Sequence, residues 1–177
     1  MTDKQVDWNL LTLVGADRAG IVARVTRVLY GLGCHLGEAS MIRLGGNFTI
    51  MLMVSAARPN ADILAALAPV AAELELRVHL DAMSGGLHQH LLPNLQVRVT
   101  GADRAGIVAD VTEILAAQGF NILELESDVA GDRDRPVYIM NIQGYSDHTI
   151  ESLADALAPL SERGVAVDVA PVDVLIG

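Results

Sequence analysis

The chain has 177 residues, of which 51% are hydrophobic and 19% charged, so it holds enough apolar material for packed cores and too little charge for a disordered chain. Its formal net charge of -10, from 12 basic and 22 acidic residues, argues against direct binding to nucleic acid, which needs a basic footprint. No apolar run approaches the roughly 20 residues of a membrane span, and one cysteine permits no intrachain disulfide. We therefore expect a cytoplasmic protein without a membrane segment.

A long internal repeat predicts two domains. The nine residues at 15–23 recur letter for letter at 101–109, and 14 of the 27 residue pairs from 15 and 101 onwards are identical. Leu-Ala-Pro at 67–69 recurs at 157–159, an offset of 90 instead of 86, so four extra residues lie between, and the polar stretch 131–135 is where we place them. We predict a first domain at 1–82 (copy 1), a linker at 83–93 and a second domain at 94–177 (copy 2).

In chain order, residues 8–14 of copy 1 alternate and predict a strand. Apolar residues from Ile21 to Leu32 then recur on one helical face, and Gly33 follows where a helix ends in a left-handed residue. Two β-rich stretches at 35–42 and 47–55 are separated by a Gly-Gly hairpin signal.

A second helix is predicted from Ile63 to Leu74, with Asn60 as its N-cap and Pro69 as the residue that kinks or ends it. Residues 76–80 alternate as a last strand, as do 165–169 of copy 2. The resulting order βαββαβ predicts an α+β fold, in which two ferredoxin-like domains each carry both helices on one face of a four-stranded antiparallel sheet.

The third strand is apolar on both faces. Phe48, Ile50, Leu52 and Val54 alternate with Met51 and Met53, and only one face can meet the helices. We expect a second surface to cover the other face, by pairing of the two domains or by a homodimer.

The sequence predicts a loop at 15–19 before the first helix, and this repeated turn is the candidate binding site. We call residues 17–20 loop 1 and their repeat at 103–106 loop 2. The helix start behind each loop has unpaired N–H groups and a positive dipole end, which suits a carboxylate, while Asp17 or Asp103 suits an ammonium. Gly20 and Gly106 would allow a ligand close approach. A small amino acid offers both charges. The alternative, that each Asp only caps its helix at about 1 kcal/mol, stays open here.

The motif Asp-Arg-x-Gly-Ile-Val in a βαββαβ unit, with Gly-Phe-Asn-Ile at 119–122 of copy 2, resembles the ACT domain, an amino-acid-sensing module. In members that bind amino acids, an Asn at the start of the second strand completes the pocket from the neighbouring domain. Asn121 matches that Asn, His35 stands there in copy 1, and Ala19 and Ala105 replace a frequent proline. The resemblance implies these ligand-binding residues: Asp17, Arg18, Ala19, Gly20, Ile21, His35, Asp103, Arg104, Ala105, Gly106, Ile107 and Asn121.

Two such units in tandem are similar to the glycine cleavage system transcriptional repressor family. That resemblance implies glycine or another small amino acid as ligand, and contact with a transcription activator protein as the regulatory step. No catalytic or phosphate-binding motif recurs in both copies, and His88 and His90 form only a weak metal signal, so we expect no enzyme, no cofactor and no metal. The alternative is a ligand-free interaction module that regulates a metabolic enzyme.

Overall fold

A computed structural model describes residues 8–83, 91–102, 105–132 and 135–172. The chain divides into two compact units, Met1–Gln89 and His90–Gly177. Most of the predicted linker, with His88 and His90, lies outside the described residues. Within the described ranges, no helix combines the length and the apolar character that crossing a bilayer requires.

Copy 1 has the predicted order βαββαβ, and its strands lie in the sheet order β2-β3-β1-β4 with antiparallel neighbours. Its core joins alternate residues of the two central strands to one face of each helix, as Leu11, Ile50 and Val25 illustrate. The ferredoxin-like prediction is confirmed. The elements are β1 Asn9–Ala16, α1 Ile21–Gly31, β2 His35–Leu44, β3 Asn47–Ser55, α2 Asn60–Glu73 and β4 Arg77–Ala82.

Copy 2 repeats this topology with the sheet order β6-β7-β5-β8. Its β6–β7 hairpin is longer than the β2–β3 hairpin by two residues in each strand, 12 and 11 against 10 and 9. The elements are β5 Leu95–Ala102, α3 Ile107–Ala117, β6 Asn121–Asp132, β7 Arg135–Tyr145, α4 Ile150–Leu157, a 3₁₀ helix Ala158–Arg163 and β8 Val165–Pro171.

In copy 1, glycines end the first helix and form the turn of the β2–β3 hairpin, as the sequence predicts. Gly33 has φ 70°, and the next amide, Cys34 N–H, donates to the Leu29 carbonyl at 3.0 Å, which is the closure of a Schellman motif. Gly45 and Gly46 have φ 56° and 76° between β2 and β3, as a two-residue type I′ turn requires.

The prediction that Asn60 caps the second helix is wrong, and Pro69 does not end that helix. Asn60 is the first residue of α2 and Pro59 holds the cap position, while the Asn60 amide donates to Asn9 Oδ1 at 2.7 Å. Pro69 lies inside α2, which continues to Glu73. In copy 2 the α-helix ends at Leu157 and a 3₁₀ helix follows from Ala158, with Pro159 in its first turn, where a missing N–H is tolerated.

One ion pair joins the first helix to the end of the second in each copy, with opposite polarity. In copy 1, Arg24 of α1 donates to the Glu73 carboxylate through both terminal guanidinium nitrogens, one of them at 2.8 Å. In copy 2, the carboxylate is Asp110 and its partner is Arg163, at 3.0 Å. Asp110 lies 86 residues after Arg24, and Arg163 lies 90 residues after Glu73, which are the two offsets that relate the copies.

The sheet faces turned away from the helices differ between the copies. In copy 1, Ile42, Leu44 and Met51 share this face, and they are 57%, 75% and 41% exposed. Met53 on the same face is buried, and the Trp8 indole lies beside it against Gly37. In copy 2, the register instead places Glu124, Glu126, Asp128 and Asp168 on this face, with Arg98 among them.

Candidate functional site

Loop 1 connects the end of β1 to the start of α1, and its geometry explains why the repeated sequence is rich in glycine. A Cβ on Gly15 would stand 2.6 Å from Leu76 Cδ2 and 3.0 Å from the Glu75 carbonyl oxygen. A Cβ on Gly101 would stand 3.1 Å from the Gly164 carbonyl oxygen. The first glycine of each repeat therefore lets the strand end pass close to the chain that enters the last strand.

Gly20 and Gly106 have a conformational role at the helix starts. Each holds the N-cap position of its helix, with φ 89° and 90°, values that side chains with a Cβ rarely adopt. A Cβ added at either would meet no protein atom within 4 Å, so the backbone angle favours glycine here and the close approach of a ligand stays a prediction. No side-chain cap is found at α1 in the described part of the chain, and because Gly20 holds the cap position, Asp17 is not the N-cap of α1.

Asp17 is held by the β2–β3 hairpin. Its backbone N–H donates to the Gly46 carbonyl at 3.0 Å, and its carboxylate pairs with Arg43 of β2, with 2.5 Å between Oδ2 and Nη2. The Asp17 side chain is 25% exposed, whereas the Arg43 side chain is 69% exposed. The Asp17 backbone is thus fixed by a hydrogen bond, while its carboxylate pairs with the mostly solvated guanidinium of Arg43.

Arg18 turns to the opposite side of the loop and pairs with Glu75, with 2.9 Å between Nη2 and Oε2. Glu75 is the only non-glycine residue with positive φ in the described part of the chain, at 54°. Both charged residues of loop 1 therefore have a partner of opposite charge within copy 1.

A cavity of about 300 Å³ opens at this loop, and its wall combines the two loop charges with the first turn of α1. The first amides of α1 lie there beside the left-handed glycine, so a carboxylate would meet the positive end of the helix. Asp17 would meet an ammonium, and the remaining wall suits a small apolar group. The lining residues are Asp17, Arg18, Gly20, Ile21, Val22, Ala23, Met41 and Phe48.

Loop 2 is only partly described. Asp103 and Arg104 lie outside the described residues. Ala105 is exposed like Ala19, and Ile107 is 3% exposed in the core, as Ile21 is at 2% in copy 1.

His35 and Asn121 lie at the other end of their own sheets. Each begins its strand, is exposed and pairs with the last residue of the next strand, Ser55 or Tyr145. In copy 1, seven residue steps of β1 separate that end from loop 1, a distance of about 23 Å at 3.3 Å per residue. The structure therefore brings Asp17, Arg18, Gly20 and Ile21 together and leaves His35 apart from them.

Cys34 has the chemistry of a packed side chain. It is half-buried against the copy 1 core, and burial raises the pKa of its thiol, with a smaller opposing effect from the positive charge of Arg58. A raised pKa disfavours the nucleophilic thiolate at neutral pH.

The comparisons with known proteins cover both copies. Two family models, each described as ACT domain, match residues 9–81 and 95–147. A glycine cleavage system transcriptional repressor of Escherichia coli (strain K12) is 27% identical over 128 residues, which cover 72% of this chain and 67% of that protein. A UPF0237 protein of Methanococcus maripaludis is 34% identical over 79 residues, 44% of this chain and 87% of that protein. The crystal structure of an unknown protein from Galdieria sulphuraria aligns with a TM-score of 0.76 at 26% identity, covering 95% of this chain and 99% of that one.

Proposed function

The chain belongs to the ACT-domain family, with two ACT domains in tandem, and from this premise we propose that it is a non-enzymatic regulator that binds a small amino acid. The observation that carries the proposal is the uncapped helix start beside Asp17, which opens into a cavity of about 300 Å³. Helix amides and a carboxylate side by side are complementary to the two charges of an amino-acid zwitterion. Glycine is the first ligand to test, because a relative regulates glycine cleavage genes by its name.

The regulatory step that we propose is contact with a transcription activator protein. The similarity to a glycine cleavage system transcriptional repressor supports a role in gene control. A net charge of -10 and the acidic face of the copy 2 sheet would repel a phosphate backbone, which favours a protein target over DNA. A bound amino acid changes partner affinity only as far as it binds the free and the partner-bound forms differently.

A second candidate function is a ligand-free interaction module. The observation that favours it is the double ion pairing of loop 1, in which Asp17 and Arg18 are each neutralised within the chain. In such a module the repeated loops would serve only to connect strand and helix.

A thermal-shift panel of the twenty common amino acids separates the two. A ligand at a hundred times its Kd adds about 2.7 kcal/mol, which raises the Tm of a domain of this size by roughly 10 °C or more. We expect a dose-dependent rise with glycine or another small amino acid, reduced in Asp17→Ala, Asp103→Ala or Asn121→Ala. Asp128→Ala, which removes the same charge from the exposed face of β6, is the matched control. If none of the twenty raises the Tm, the sensing proposal is wrong and the interaction module is favoured.

A further inference from the structure

We propose that Arg43 and Glu75 act as internal substitutes for a charged ligand in copy 1 and weaken its response to an amino acid. This inference rests on the proposed function and deepens it, since it identifies what an incoming ligand must displace. The guanidinium of Arg43 stands at Asp17, where a ligand ammonium would bind, at 2.5 Å. The carboxylate of Glu75 stands 2.9 Å from Arg18 and neutralises a cation of the cavity wall that would otherwise add to the attraction of the helix start for a ligand carboxylate.

Both partners are placed to compete and to be displaced. Arg43 is 69% exposed and Glu75 is 71% exposed, so either side chain can leave for solvent at little cost, because exposed ion pairs contribute only about 0–1 kcal/mol. Asp17 keeps its position when Arg43 leaves, since its backbone is bonded to Gly46. Displacement therefore changes the charge at the cavity without taking the loop apart.

The two partner positions hold uncharged residues in copy 2. Val129 lies opposite Tyr138 in copy 2 as Arg43 lies opposite Phe48 in copy 1. Gly164 takes the place of Glu75, because each has positive φ, 74° and 54°, and each carbonyl abuts the first glycine of its repeat. The loop sequence is identical in the two copies, while the residues at these two positions are not.

This substitution pattern supplies a test with little risk to the fold. Arg43→Val with Glu75→Gly gives copy 1 the residues of copy 2, places a β-branched residue in an edge strand and relieves a positive φ. Arg27→Ala, which removes the same charge from the exposed side of α1, is the control. Circular dichroism of each variant verifies that it folds, and calorimetric titration with glycine, then with each of the other nineteen amino acids, gives affinity and stoichiometry.

We expect the double variant either to gain an amino-acid site or to bind at the wild-type site roughly three- to tenfold more tightly, because two exposed competing ion pairs have been removed. Asp17→Ala should abolish binding at that site. Arg27→Ala should bind like the wild type. Wild-type binding with no gain in the double variant would overturn this inference and leave the proposed function standing. A wild type that binds nothing, with a double variant that binds through Asp17, would support the inference and contradict sensing by the natural chain. Binding by neither protein would overturn both.

Discussion

Gly144 of β7 corresponds to Val54 of copy 1, and Phe120 corresponds to Cys34. Copy 1 therefore has the larger side chain on its third strand, whereas copy 2 has it just before its second strand. We predict that Gly144→Ala destabilises copy 2. A Cβ at this position would stand 2.2 Å from Phe120 Cε1, 2.6 Å from Phe120 Cζ and 2.4 Å from the Asn121 carbonyl oxygen. Carbon atoms in ordinary contact are about 3.5 Å apart, so the ring and the carbonyl would both have to move by about 1 Å.

Neither group can move freely. Phe120 is 5% exposed within the copy 2 core, and the Asn121 carbonyl belongs to the strand that pairs with β7. Overpacking of this kind costs about 3 kcal/mol. The loss of glycine entropy from the unfolded chain offsets about 0.4–1 kcal/mol of it. The net destabilisation of copy 2 should therefore be about 2 kcal/mol.

Native-state hydrogen exchange of the β5 and β7 amides across a urea series measures this quantity within copy 2. Gly31→Ala in copy 1, followed by the same exchange experiment on the β1 and β3 amides, is the control. Its new Cβ meets nothing within 4 Å and its φ is ordinary, so it should leave the stability of copy 1 unchanged or slightly raised. Adding Phe120→Cys removes the ring contact and leaves the carbonyl contact, so the two changes should couple favourably by about 1 kcal/mol or more. Wild-type stability in Gly144→Ala, or strict additivity in the double variant, would refute the reasoning.

Four further outcomes are expected. Asp17 pairs with Arg43 and does not cap α1, so adding Asp17→Ala to Arg43→Val should leave the free energy of unfolding in urea almost unchanged. Loss of an N-cap would instead lower it by about 1 kcal/mol. Arg24→Asp should lower the Tm by placing two carboxylates together, and a further Glu73→Arg should restore it. Hydrogen bonding from Arg24 lowers the pKa of Glu73, so that pair stabilises the fold above the pKa of a free glutamate and loses its contribution as pH falls through the lowered value. The Tm difference between the wild type and Arg24→Ala should thus be present at pH 7 and vanish in acid; a constant difference would contradict it. Finally, Cys34 should react with a disulfide reagent at pH 8 more slowly than free glutathione and accelerate in urea, and equal rates would show an accessible thiolate.

Local signals predicted most of the fold. Alternation, helical periodicity and the glycines at 33, 45 and 46 act over a few residues, and they yielded the order βαββαβ. The errors concern contacts between residues that are far apart in the sequence. Asn60 has a side chain that can cap a helix, but its side-chain amide instead donates to Asn9, which is 51 residues away. Pro69 is tolerated inside α2, where tertiary packing of the helix outweighs the lost hydrogen bond.

The candidate site could be predicted only in part, for the same reason. The repeated loop identifies Asp17, Arg18 and Gly20, but their partners come from other elements of the sheet and its flanks. Arg43 lies in β2 and Glu75 lies just before β4, and no local spacing relates them to the loop. One signal could have found them: the loop is identical in both copies, while these two positions differ as Arg to Val and Glu to Gly.

The opposite polarity of the Arg24–Glu73 and Asp110–Arg163 pairs has a consequence for folding of the tandem chain. Two copies with so similar a first half can exchange halves, which is a common route to misassembly of duplicated domains. Were the first helix of one copy to dock on the second helix of the other, Arg24 would face Arg163, and Asp110 would face Glu73. Like charges would repel at both places, so each nascent half is steered to its own partner.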